Sequence, residues 1–129
     1  MSSSTPQTSY LIIGAGVFGT SAAFHLLKAH PGASVTLLDR HPAPSPESAS
    51  WDWNKVVRAD YTDNFYMRLA LDAIAEWRSN PLFKPFYHES GLLWLNNSDL
   101  THRVVDNYKK LDADVKVSVA NVEDAKKIY

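Results

Sequence analysis

An α/β fold is predicted, opening on a strand–turn–helix–strand unit, and three observations predict it. Tyr10-Leu-Ile-Ile13 is a short apolar run that reads as a buried strand. It breaks directly into Gly14-Ala-Gly16-Val-Phe-Gly19, and an amphipathic helical pattern follows. A second apolar run, Ser34-Val-Thr-Leu-Leu38, ends in an acid, Asp39, 20 residues past Gly19. A dinucleotide asks for that order of elements. Gly14 allows the tight turn, Gly16 lets backbone approach a pyrophosphate, and Gly19 lets the helix pack on the strand. The helix N-terminus offers N–H groups and a partial positive charge to phosphates. Asp39 can accept hydrogen bonds from ribose hydroxyls. A glycine turn alone could serve only strand–helix packing; its agreement with the strand, the helix and the acid favours a dinucleotide site.

The elements follow in order. Residues 1–9 read as a disordered tail, without the basic and apolar regions of a signal peptide. Tyr10–Ile13 is the first strand. Val17 to about Ala29 is a helix, with Phe18, Ala22 and Leu26 on one stripe and Ala23 and Leu27 beside it. His30-Pro-Gly32 ends it. Ser34–Asp39 is nearly all apolar, as in a parallel strand covered on both faces. Three prolines between Pro42 and Pro46 mark a loop. Residues 51–61 read as loop with a short strand or turn at Val56-Val57. Asp63 to Arg78 is the best helix, capped by Thr62 or Asp63 and striped by Phe65, Leu69, Ala73 and Trp77, with Tyr66, Ala70 and Ile74 widening the stripe. Phe86–Ser90 and Leu92–Leu95, around Gly91, read as strand segments. Asp99–Leu111 is a helix with Leu100, Val104, Tyr108 and Leu111 on one side. Val115–Val119 alternates like a half-exposed strand, and Asn121 caps a last helix from Ala125 to Tyr129.

Composition narrows the function classes. The 129 residues are 45% hydrophobic and 21% charged, enough for a packed core. A net charge of −1 argues against nucleic acid as a partner. No apolar run approaches a membrane span, so no membrane partner is expected. The absence of cysteine removes disulfides and thiolate metal sites. His25, His30, His41, His88 and His102 have no metal-ligand spacing, so no metal is expected.

A second constellation, Ser48-Ala-Ser50-Trp-Asp-Trp-Asn54-Lys55-Val-Val-Arg58-Ala-Asp-Tyr61, follows the acid. Read from the residues alone, Lys55 and Arg58 beside Asp52 and Asp60 are a solvated ion-pair cluster. Trp51 and Trp53 are either core or interface aromatics, or pack over a cofactor. Tyr61 and Tyr66 read as aromatic core. With the glycine turn, the Asn54-Lys55-Val-Val-Arg58 segment and Trp77–Leu95, however, the chain resembles the FAD-dependent amine oxidases of the D-amino-acid-oxidase superfamily. The branch is that of the sarcosine, L-pipecolate, saccharopine and fructosyl-amino-acid oxidases of fungi. Residues 10–95 carry the resemblance.

The resemblance implies FAD as cofactor and oxidation of the C–N bond of an amino acid or secondary amine. Oxygen is the acceptor, and imine and hydrogen peroxide are the products. It implies that Gly14, Gly16, Val17, Phe18 and Gly19 line the pyrophosphate, and that Asp39 and Arg40 hold the adenosine ribose. Ser48, Ser50 and Asn54 approach the flavin, Lys55 lies against its ring, and Arg58 binds the substrate carboxylate. Lys55 and Arg58 are therefore the expected catalytic residues. A fixed cation suits the negative charge that a reduced flavin gathers, and a guanidinium can grip a carboxylate with two parallel bonds. The Lys-Val-Val-Arg spacing leans towards the sarcosine, pipecolate or saccharopine branch.

The expected organisation is a Rossmann-like FAD/NAD(P)-binding part over 10–80 and the start of a substrate-side α+β segment over 81–129. The family is much longer than 129 residues, so a truncated chain with poor FAD binding and little turnover is expected. An NAD(P)-dependent dehydrogenase is the alternative, since it uses the same turn and acid; the segment from Asn54 to Arg58 separates the two. A monomer is expected, in the cytoplasm or a peroxisome, although Lys127-Ile-Tyr129 is not a peroxisomal signal.

Overall fold

A computed structural model describes residues 8–96 and 98–128; most of the expected tail, and Tyr129, lie outside the described residues. The fold is mixed α/β. Its elements are β1 (Ser9–Ile13), α1 (Val17–Ala29), β2 (Ser34–Leu38), α2 (Asn64–Ser79), a single 3-10 turn at Lys84–Phe86, α3 (Leu100–Lys110) and α4 (Val122–Ile128). Ser9, expected in the tail, is the first residue of β1. The chain divides into two compact units, Met1–Lys55 and Val56–Tyr129. The boundary expected after residue 80 falls inside the second.

In the first unit β1 and β2 pair in parallel, with Ser9 opposite Ser34 and Ile13 opposite Leu38. α1 is the crossover between them. Its covered positions are Gly19, Ala23 and Leu26, set against the Tyr10, Ile12, Val35 and Leu37 side of the sheet. This corrects the expected stripe. Phe18, placed on it by spacing, is 88% exposed, because the contact face is fixed by the closest approach at Gly19 and not by the largest side chains. The strands are covered on one face only among the described residues. Leu11, Ile13 and Leu38 stay open on the other.

In the second unit the core is Ala59, Met67, Val104 and Tyr108, with Ala70, Leu71, Ile74, Leu100, Leu111, Ala113 and Val115 packed against it. Met67 is fully buried, which contributes about 2 kcal/mol by area. Asp63 caps α2 by accepting from the Phe65 N–H at 2.7 Å. The buried face of α2 runs through Met67, Ala70, Leu71 and Ile74, so the expected stripe is rotated. Phe65 and Leu69 are exposed, because α3 packs on the Met67 side. α3 buries Val104 and Tyr108 as its spacing predicts. Asn121 caps α4 by accepting from the Asp124 N–H at 2.9 Å.

The strands expected at Phe86–Ser90, Leu92–Leu95 and Val115–Val119, and the short strand or turn expected at Val56-Val57, are not formed. Those segments find no ladder partner among the described residues, and Phe86 instead closes the 3-10 turn that Pro85 favours. Alternation and β-propensity do not make a strand without a second strand to pair with.

Candidate functional site

The glycine turn is built by contacts that exclude other residues. Gly14 has φ of 103°, a left-handed backbone that suits glycine, and its N–H donates to the Leu38 carbonyl at 2.7 Å. That bond ties the turn to the end of β2. A Cβ at Gly19 would overlap the Gly14 carbonyl oxygen, so only glycine lets α1 close on the turn. Gly16 precedes α1 and faces open space: a Cβ there would meet no heavy atom within 4 Å. α1 has no side-chain cap and no acid in its first turn. Among the described residues, its first-turn N–H groups therefore meet neither a capping side chain nor an acid of their own turn, which suits a diphosphate.

Asp39 points into this bend. Its Oδ2 accepts the Ala15 N–H at 2.6 Å, and its Oδ1 accepts the Arg40 N–H at 2.6 Å and, weakly, the His41 N–H at 3.5 Å. The Ala15 bond leads in holding the carboxyl below the usual aspartate range, with the Arg40 N–H next. A groove of about 520 Å³ runs beside it, lined by Gly14, Gly16, Leu38, Asp39, Arg40 and Ser48, among others. The Arg40 guanidinium pairs with Glu47 at 3.4 Å, and Glu47 also meets His41 Nε2 at 3.3 Å. Val17 and Phe18 are exposed in the first turn of α1.

The remaining candidates of the first unit lie in the loop after β2. Ser48 Oγ bonds the Ser45 carbonyl at 2.9 Å and Ser50 Oγ at 2.7 Å, which knots the loop beside the groove. Lys55 Nζ pairs with Asp52 at 3.4 Å and donates to the Asn54 carbonyl at 3.3 Å. Its surroundings are thus the ion pair that the residues alone suggest. Trp51 and Trp53 are exposed, Trp53 fully, so neither is a core aromatic.

Arg58 belongs to the second unit, and its setting differs. It makes no ion pair among the described residues. Its guanidinium lies 5.0 Å from the Tyr61 ring centroid and 4.8 Å from that of Trp94, and Nη1 donates to the Asp60 carbonyl at 2.9 Å. The expected ion-pair cluster is therefore half wrong: Asp60 serves Arg58 through its backbone. Arg58 lines an open pocket of about 410 Å³ with Val56, Val57, Tyr61, Tyr66 and Leu69. Tyr61 and Tyr66, expected as core, are wall residues there. An aromatic-flanked cation with unfilled donors beside an apolar wall can receive a carboxylate that carries an apolar body.

Sequence reasoning missed Trp94, Asn107 and Tyr108 as neighbours of this segment. Trp94 reads as a strand residue, and Tyr108 as plain core at helical spacing. Asn107 carries the one available signal, a polar residue between apolar positions on the inner face of α3. Tyr108 Oη donates to Asp60 Oδ1 at 3.0 Å, and Asn107 Nδ2 donates to the Tyr61 carbonyl at 3.2 Å and the Thr62 carbonyl at 2.9 Å.

The family of FAD dependent oxidoreductases (DAO) matches residues 9–128. The chain belongs to that family. It is 37% identical over 125 residues to the L-saccharopine oxidase of Schizosaccharomyces pombe, an alignment that takes in 92% of this chain and 29% of that protein. It is 32% identical over 83 residues to the amino acid oxidase imqH of Aspergillus flavus, covering 56% of this chain and 17% of that one. To the amino acid oxidase fsqB of Aspergillus fumigatus it is 35% identical over 81 residues, covering 54% and 16%. The chain thus spans less than a third of the curated relatives it matches. No solved structure matches it significantly. The family is FAD-dependent, and the glycine turn fits that cofactor: Gly16 is open, α1 is uncapped, and Asp39 stands at the bend.

Proposed function

We propose that this chain carries the FAD-binding turn and the substrate-carboxylate arginine of an oxidase that acts on the C–N bond of an amino acid or secondary amine. The substrate class is of the sarcosine, pipecolate or saccharopine type, with oxygen as acceptor and hydrogen peroxide as product. The observation that carries this reading is the bend itself, where Gly19 closes on the Gly14 carbonyl while Asp39 holds the Ala15 N–H. Bound at this turn, FAD would supply the acceptor for a hydride equivalent from the carbon next to the nitrogen.

The chain's own residues do the rest. The first-turn N–H groups of α1 and the open backbone at Gly16 receive the diphosphate of a Rossmann-like dinucleotide site. Asp39, held anionic by two backbone N–H groups, keeps further lone pairs for ribose hydroxyls. Lys55 supplies a positive charge for the flavin ring, and Arg58 receives the carboxylate of the substrate. Residues 10–80 read as part of the dinucleotide-binding domain and 81–129 as substrate-side. The named substrate of the Schizosaccharomyces pombe relative, L-saccharopine, is itself an amino acid joined through a secondary amine, in keeping with this class.

Titration of the purified chain with FAD and with NAD, followed by quenching of flavin fluorescence and by calorimetry, tests the cofactor. Weak FAD binding that is lost in Gly19→Val is the expected result; binding of NAD alone overturns the reading. Peroxide release with N-methyl amino acids, pipecolate and saccharopine tests the reaction. An Arg58→Met variant is expected to raise KM about a hundredfold, since it removes a charge-assisted pair.

A further inference from the structure

The Arg58 segment has no regular secondary structure of its own, yet its guanidinium is held at three points. Two of the three belong to residues next to it in sequence, the Asp60 carbonyl and the Tyr61 ring. Both residues are in turn held by α3. Tyr108, 7% exposed, donates its hydroxyl to the Asp60 carboxylate. Asn107, 5% exposed, spends its amide nitrogen on the Tyr61 and Thr62 carbonyls. A buried amide on the inner face of a helix costs stability unless its bonds are made, and these bonds reach 45 and 46 residues back along the chain. Ala59, 2% exposed and packed with Met67, Val104 and Tyr108, anchors the backbone between Arg58 and Asp60.

We propose that Asn107 and Tyr108 are positioning residues for Arg58: through Asp60 and the 61–62 carbonyls, α3 sets the direction in which the guanidinium faces its pocket. This deepens the reading of Arg58 as the carboxylate anchor and rests on it for its catalytic consequence. The logic is mechanical. An arginine on an irregular segment has several rotamers of similar energy, and a carboxylate that binds one of them loses the fraction spent in the others. Fixing Asp60 through its carboxylate, and Tyr61 and Thr62 through their carbonyls, removes most of those choices before substrate arrives. Tyr108 suits the task because burial, with the Asp60 charge, pushes its phenol upward, so it remains a donor across the physiological range.

Side-chain NMR of the full chain reads this directly. The Arg58 Nε–Hε resonance, assigned by its loss in Arg58→Lys, is expected to be displaced by the Tyr61 and Trp94 rings. Tyr108→Phe and Asp60→Ala are expected to move it towards the position of a free arginine. Asp60→Asn, which keeps an acceptor oxygen for Tyr108, is expected to hold it near the wild-type position. In the FAD-loaded enzyme, Tyr108→Phe is expected to raise KM for the amino acid about tenfold with kcat within about twofold. A purely structural role would instead lower the folded fraction and leave KM alone. An Arg58 resonance unmoved in both Tyr108→Phe and Asp60→Ala overturns the proposal, even if Arg58→Lys raises KM. A resonance that moves in both, with KM unmoved in Tyr108→Phe and in Arg58→Lys alike, upholds the positioning and overturns the carboxylate reading. If Tyr108→Phe does not fold, Asp60→Ala and Asp60→Asn decide between them.

Discussion

The glycine bend of the first unit and the Arg58 segment of the second solve one problem, the holding of an irregular stretch of backbone at a site, in opposite ways. At the bend almost every constraint is backbone. The Gly14 N–H bonds the Leu38 carbonyl, α1 closes on the Gly14 carbonyl because Gly19 has no side chain, and the one side chain involved, Asp39, accepts backbone N–H groups. At Arg58 the local holds, the Asp60 carbonyl and the Tyr61 ring, are themselves backed by side chains from a distant helix, Asn107 and Tyr108, and a distant loop adds Trp94. A backbone-held site tolerates no added atom. A side-chain-held site tolerates conservative exchange and fails by degrees.

The sharpest break of this contrast is at Gly19. Gly19→Ala places a carbon on the Gly14 carbonyl and is expected to cost about 3 kcal/mol or more, with loss of FAD binding. Hydrogen exchange of the β1 and β2 amides should rise while α2 and α3 stay protected. Met67→Ala is the counterpart in the second unit. The residue is fully buried, and the variant is expected to lose about 2–4 kcal/mol. Its exchange pattern should be the reverse, with α2 and α3 opened and β1 and β2 unaffected. A single transition that weakens both units equally in either variant would erase the comparison.

Acid sharpens it further. The Asp39 carboxyl lies below its ordinary value because it accepts the Ala15 N–H first and the Arg40 N–H second. A group whose pKa is lower folded than unfolded adds stability above the unfolded value, about 3.9, and that stability is lost as the pH falls through the folded value. A carboxyl-carbon NMR titration should therefore show Asp39 turning over at lower pH than an ordinary aspartate, with the Ala15 amide shift following the same curve. The smallest effect is expected at the Arg78–Glu89 pair. Two bonds, at 2.7 and 2.9 Å, join these exposed side chains and depress the Glu89 carboxyl. Exposed pairs contribute little, so Glu89→Gln is expected to leave the thermal midpoint within measurement error.

The two regions also differ in how legible they were. Ile13, Gly14, Gly16, Gly19 and Asp39 announce the bend in sequence, because each is demanded by a local backbone requirement at a fixed offset. The α2 cap at Asp63 and the α4 cap at Asn121 are legible for the same reason. The stripe of α2 was misread through Phe65 and Leu69, since helical spacing gives the faces of a helix but not which neighbour arrives. The strands expected at Leu92–Leu95 and Val115–Val119 failed on the same ground: a strand exists only as half of a pair.

The amino-acid sequence by itself determined the parallel strand–helix–strand opening, the turn glycines, the acid at the bend and the membership of a flavin-dependent family. These depend on interactions within about 30 residues, where spacing and backbone chemistry suffice. Only the tertiary structure decided that Arg58 leaves the ion-pair cluster to lie between two aromatic rings, and that Asn107 and Tyr108 hold the segment between them and the core. The contacts of Trp94, Asn107 and Tyr108 with this segment join positions some 36 to 48 residues apart, and their partners are chosen by packing, which no local pattern encodes.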